Sequence, residues 1–143
     1  MAPGRFLTAT VVGGIVLFVV GYLIWGLALM GFFEAQSIAP EGALKTMDEF
    51  SLAHIFVANL VYAALLTLTV GVWGGKRGFR GGFQGGLLVG LLVTVSMAFM
   101  FLATMHFMTV TGHLVDVIAS GVWAGIGGGV IGLILARGET SGA

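Results

Sequence analysis

The chain has 143 residues, of which 58% are hydrophobic and only 8% charged, and its six basic and six acidic side chains leave a formal net charge of zero. A soluble domain ordinarily carries about a quarter of its residues as ions, so a water-soluble bundle is excluded, and zero net charge leaves no electrostatic case for nucleic acid as a partner. The lack of cysteine removes disulfides, thiolate metal sites and thiol catalysis together.

Four apolar runs fill the chain: Leu7–Phe33, Leu52–Gly74, Gly85–Met108 and Leu114–Ala136. Each is longer than the ~20 residues that cross a ~30 Å hydrocarbon core. The runs are continuous rather than alternating, and in lipid only a helix satisfies its own backbone along such a run. The expected fold is all-α, an integral membrane four-helix bundle forming one membrane domain over residues 1–143, with an outer loop over 34–51. The first run begins after the single charge of Arg5. It is too long for the h-region of a secretory signal, about 7–15 residues, and is expected to be a retained membrane helix. Tyr22 and Trp25 near its far end suit an aromatic belt.

The connection after the first run holds Glu34, Glu41, Asp48 and Glu49 against a lone Lys45. Ala39-Pro40-Glu41 offers a helix start, and Pro40–Phe50 is expected to form a short amphipathic segment at the interface. Ser51 is placed to cap the second helix. That helix carries His54 near its start, Asn59 one to two turns deeper, and Trp73 at its other end.

Gly74-Gly75-Lys76-Arg77-Gly78-Phe79-Arg80-Gly81-Gly82 follows. Lys76, Arg77 and Arg80 suit the head groups of anionic membrane lipid, or serve a tight turn with topogenic charge. The segment is not a phosphate-binding loop, because no strand precedes it and the Lys-Ser/Thr ending is absent. With Arg5 and Arg137, these residues put five of the six basic side chains on one side of a four-crossing chain. The positive-inside rule makes that side cytoplasmic, with both termini, and makes the acidic loop external. The composition and short loops suit a multi-pass protein of a bacterial plasma membrane.

The third run opens with Gly82, Gly86 and Gly90, and the fourth carries Gly121, Gly125 and Gly129, with Gly128 and Gly132 as a parallel row. Small residues four apart let two backbones approach. In an antiparallel hairpin the two sets fall at one depth, so close contact is expected within the chain, or else a face for self-association or for other membrane protein subunits. Met97, Met100, Met105 and Met108, interleaved with Phe99, Phe101 and Phe107, make the other half of the third helix bulky. Helices that are tight at one end and bulky at the other splay, and either leave a cavity facing outward or simply fill the bilayer with lipid-facing side chains. Trp123 lies near mid-membrane, filling an interhelical gap or marking a partner surface.

The histidines all map to the outer side. His54, His106 and His113, with Asp116 three residues after His113 on the same helix face, are candidate metal ligands, since imidazole and carboxylate both suit Zn. Paired histidines on separate helices also suit axial haem ligation, and histidine suits proton relay. The simplest alternative is four polar groups near the head groups, with no cofactor. No nucleophile has a base in reach: Ser96 is ten residues from His106 on one helix, and Ser120 more simply bonds back along its own helix.

Gly21-Tyr22-Leu23-Ile24-Trp25-Gly26 and the glycine-rich Trp123-Ala124-Gly125-Ile126-Gly127-Gly128-Gly129-Val130-Ile131-Gly132 resemble a family of small uncharacterised four-helix bacterial membrane proteins. That family carries Trp-Tyr where this chain has Trp25-Gly26. The resemblance implies a four-helix bundle and brings no activity with it. Three functional expectations stand. The first is a non-enzymatic membrane subunit or scaffold packing through its glycine faces. The second is a small transporter or ligand-binding protein with an outward polar cavity. The third is a haem- or metal-containing redox subunit. An enzyme acting on lipid comes last.

Overall fold

The structure is a computed structural model and describes residues 3–75 and 78–137. Among these residues the chain is helical, with no strand. Four stretches are long and apolar enough to cross a membrane: Pro3–Ala28, Leu52–Trp73, Gly78–Thr104 and Val110–Arg137.

The first span is α1 (Pro3–Gly21), which continues as a π-helix over Tyr22–Ala28. It ends where the Leu29 N–H reaches back five residues to the Ile24 carbonyl at 2.8 Å, and Leu29 itself leaves helical geometry at φ −110°. A separate short helix, α2 (Met30–Gln36), follows. The expected single helix over 7–33 is therefore broken. Apolar sequence alone does not distinguish a π-turn, which costs no polarity change and shows only as a shift in aim.

The expected amphipathic segment over 40–50 is reduced to a 3-10 turn at Met47–Glu49. Glu49 holds it, accepting from the Thr46 N–H at 2.8 Å and from the Thr46 hydroxyl at 3.0 Å. These bonds hold the Glu49 carboxyl below the usual glutamate range, and the Thr46 side chain does the same for Asp48.

The second span is α3 (Leu52–Leu66), extended by a π-helix over Thr67–Trp73. Ser51 caps it as expected, its hydroxyl accepting from the His54 N–H. The third is α4 (Gly78–Thr104) and the fourth α5 (Val110–Arg137). Helix α4 begins seven residues before the expected 85 and stops before 108. Its glycines are poor helix formers in isolation, but packing against α5 overrides that cost. Helix α5 begins at 110 rather than 114, because Thr109 caps it by accepting from the Gly112 N–H at 3.1 Å. Arg80 lies exposed in the first turn of α4, and Lys76 and Arg77 lie outside the described residues.

Helix α5 is the centre of the bundle. Half of its membrane window is buried, the largest share of the four spans. Against α1 it runs antiparallel in steps of one turn. A Cβ at Gly127 would strike Leu17 Cδ2 at 2.5 Å, and one at Gly13 would strike Ile131 Cδ1 at 2.8 Å. Helices α1 and α3 pair in the same way, with Gly14 against Leu60 and a buried Thr10–Thr67 hydroxyl contact of 3.4 Å. Thr67 itself donates back to the Ala63 carbonyl at 2.8 Å. The core of Ala9, Leu17, Ala63, Leu66, Val70, Ile131 and Leu135 occupies the half nearer the chain termini.

Helix α4 lies along α5, backbone against backbone. A Cβ at Gly82 would overlap the Gly128 carbonyl, and one at Gly86 the Ala124 carbonyl. One at Gly90 would meet Ala124 Cβ at 2.5 Å and the Ser120 carbonyl at 2.9 Å. The row facing these glycines is therefore Ser120, Ala124, Gly128 and Gly132. Gly121, Gly125 and Gly129 instead receive side chains of α4: Leu91, Phe83 and Phe79, at 2.7, 2.9 and 2.6 Å from the missing Cβ atoms. Both glycine sets are covered within the chain.

Candidate functional site

The half of the bundle nearer the loops is hollow. Helix α4 meets the second span at its π-segment, where a Cβ on Gly85 would touch Val70 at 3.1 Å. Toward the loops α3 and α4 part, leaving a cavity of about 490 Å³ between them with α5 as its floor. Tyr62 lines it from α3, and Thr94, Met97 and Phe101 from α4. His113, Asp116, Ser120 and Trp123 line it from α5. A site of this volume, apolar with a few polar groups, has the size of a small-molecule pocket.

A lid lies across the loop end, made of Phe33, Ser37, Leu44, Phe107 and Met108. It is stitched by a short antiparallel bridge between Ser37 and Met108. The Ile38 N–H donates to the Phe107 carbonyl at 2.9 Å, and the Thr109 N–H to the Gln36 carbonyl at 3.0 Å. The Thr109 hydroxyl also donates to Gln36 Oε1. Gly112 admits this crossing, because a Cβ there would strike Met108 Sδ at 2.8 Å and Gln36 Cβ at 3.1 Å.

Asp116 is oriented by Trp25, whose Nε1–H donates to Oδ1 at 2.9 Å. The π-helix places Trp25 for this bond, and Gly26 leaves room for the Tyr22 ring, which a Cβ would meet at 2.9 Å. Trp123 is fixed in turn by donating to the Leu17 carbonyl at 2.8 Å. Its ring stands edge-on to Trp25 with centroids 5.7 Å apart and lies 4.7 Å from Tyr62. The Tyr62 hydroxyl oxygen is buried and has no hydrogen-bond partner among the described residues, a costly state for a polar atom in an apolar setting.

His113 is 4% exposed. Its ring packs edge-on to Phe107 at 5.1 Å and tilted against Phe101 at 6.4 Å.

The four candidate metal ligands do not converge. His113 and Asp116 share the cavity. His54 is exposed at the start of α3, hydrogen-bonded to Ser51 Oγ at 2.6 Å, and lines a separate shallow pocket with Lys45 and Phe50. His106 is exposed in the α4–α5 connection. Among the described residues no three His, Asp or Glu side chains are grouped to hold a metal ion. A common membrane side brings residues to one depth, but helix rotation decides whether they meet, and His54 and His106 point elsewhere. A second cavity, about 270 Å³, lies across Trp123 and is lined by Tyr22, Trp25, Phe50 and Asn59, whose buried Oδ1 also lacks a partner.

Tyr62, Thr94 and the Trp25–Asp116 bond escaped sequence reasoning. The one available signal was that Trp25, Tyr62 and Asp116 are isolated polar groups in otherwise apolar spans. No protein-family model, curated protein or solved structure matches the chain.

Proposed function

We propose that this protein binds a small amphipathic molecule in the cavity between α3 and α4, as a membrane transporter or ligand-binding protein rather than an enzyme. The observation that carries this reading is an ionisable pair, His113 and Asp116, lining a mostly apolar chamber of about 490 Å³. Ionisable groups in membrane segments face an interior or a water-filled space and mark functional paths. The glycine faces that would support a scaffold or subunit are filled within the chain, so they offer no free surface to a partner.

The test fills the chamber. Thr94 lines it from α4, and Thr94→Phe places a ring inside it. A fluorescent neutral amphiphile, N-phenylnaphthylamine, should bind the wild-type protein in detergent and bind the filled variant about tenfold more weakly. Equal binding to both would exclude the cavity as the site.

The orientation belongs to the same reading, with both termini and Arg5, Arg80 and Arg137 cytoplasmic in a bacterial plasma membrane, and the lid outside. Because the chain has no cysteine, Gly42→Cys can be probed alone. An impermeant maleimide should label it from outside intact cells, and labelling only after lysis would invert the topology.

A further inference from the structure

We propose that the cavity selects organic cations, a lipophilic ammonium held by the Asp116 carboxylate and the aromatic faces of Tyr62, Trp123 and Phe101. This rests on the ligand-binding reading above and names its substrate class. The ionisable pair of the chamber is Asp116, an acid, and His113, a base. Among the described residues, Asp116 is the sole carboxylate in its lining, and no lysine or arginine lines it. Lys45 is turned to the separate pocket beside His54. Arg80 and Arg137 lie in the first and last turns of α4 and α5, at the opposite end of the bundle.

One oxygen of Asp116 is engaged by the Trp25 indole. That bond fixes the carboxylate and leaves Oδ2 available to a ligand. The indole of Trp25 is neutral, so it orients the carboxyl group without contributing a counter-charge. A carboxylate held this way in a low-dielectric chamber is costly until a cation joins it, and an anionic ligand would raise that cost.

The walls repeat the preference. Five aromatic rings line the chamber: Phe33, Tyr62, Phe101, Phe107 and Trp123. Ring faces attract cations, ammonium most strongly when desolvated. His113 shares the face of Asp116, packed against Phe101 and Phe107.

The probes are benzyltrimethylammonium, its uncharged isostere neopentylbenzene, and benzylsulfonate, each radiolabelled and dialysed to equilibrium against full-length protein in nanodiscs. Nanodiscs carrying Thr94→Phe serve as the blank for lipid partition. The cation should bind at least about tenfold more tightly than either comparator. Asp116→Asn, whose amide oxygen still accepts from Trp25, should remove that preference and leave neopentylbenzene within about twofold, while Asp116→Glu should retain the preference. If Asp116→Asn does not fold, the three-ligand ranking on the wild-type protein decides. Equal binding of all three ligands, abolished by Thr94→Phe, would overturn cation selectivity and keep the cavity. Binding of none, or binding unaffected by Thr94→Phe, would overturn both.

Discussion

Trp25 and Asp116 are 91 residues apart in sequence and joined by a 2.9 Å hydrogen bond between the first and last spans. The bond exists because the first span changes to π-geometry after Gly21, which re-aims the indole toward α5. Trp25→Phe keeps the apolar body and removes the donor, leaving a half-buried carboxylate oxygen unsatisfied. The expected cost is about 1–3 kcal/mol, read as an earlier unfolding midpoint in a detergent titration. Asp116→Asn, which keeps an acceptor, should cost less.

The α4–α5 hairpin depends on backbone contact at particular glycines. Gly86→Ala places its methyl on the Ala124 carbonyl and Gly128→Ala on the Gly82 carbonyl. Neither neighbour is the end of a flexible side chain, so the helices must separate. Each is expected to destabilise by about 1–3 kcal/mol. Gly31→Ala is the control: nothing lies within 4 Å of its added methyl, and helix propensity alone favours the change. Thermal unfolding of the three variants in one detergent gives the comparison.

Thr109 performs two tasks, capping α5 through Gly112 and tying the lid to Gln36. Thr109→Val keeps the shape and loses both. The cap alone is worth about 1 kcal/mol. The expected result is local: faster amide exchange across 105–113, which includes the first turn of α5, and at Ile38, with the rest of the four spans still protected. Uniform loss of protection would show that the lid is part of the global fold.

The Met47–Glu49 turn should respond to acid. The Glu49 carboxyl is held below its ordinary value by the Thr46 N–H and hydroxyl. A group depressed in the folded state stabilises above its unfolded value, and that contribution is lost as pH falls through the folded value. The turn should therefore be intact at neutral pH and release in the acidic range below the ordinary glutamate midpoint. Carbon-13 titration of Glu49 should show the depressed midpoint, and Thr46→Ala should move it upward.

Several particulars were legible before folding. Run length and continuity gave four spans, because a helix in lipid needs no polarity pattern, only enough apolar residues. Ser51 was legible as a cap because its hydroxyl acts on a neighbour three residues away. The glycines of α4 and α5 were legible as lying at one depth, since counting residues gives depth. Which row touches which was not. Gly82 and Gly86 meet the Ala124 and Gly128 backbones, while Gly125 takes Phe83, and a rotation of one residue separates the two outcomes. The expected cluster of His54, His106, His113 and Asp116 dissolved for the same reason.

The sequence by itself determined that the chain forms apolar helices of spanning length and at which end its ionisable groups fall. Tertiary structure decided the rotation of each helix, the π-turn that brings Trp25 to Asp116, and the parting of α3 from α4 that opens the chamber. The physical reason is that a helix apolar on every side carries no stripe to say which face turns inward. In lipid that choice passes to the fit of small residues against large ones and to a few hydrogen bonds, and neither exists until the helices are side by side.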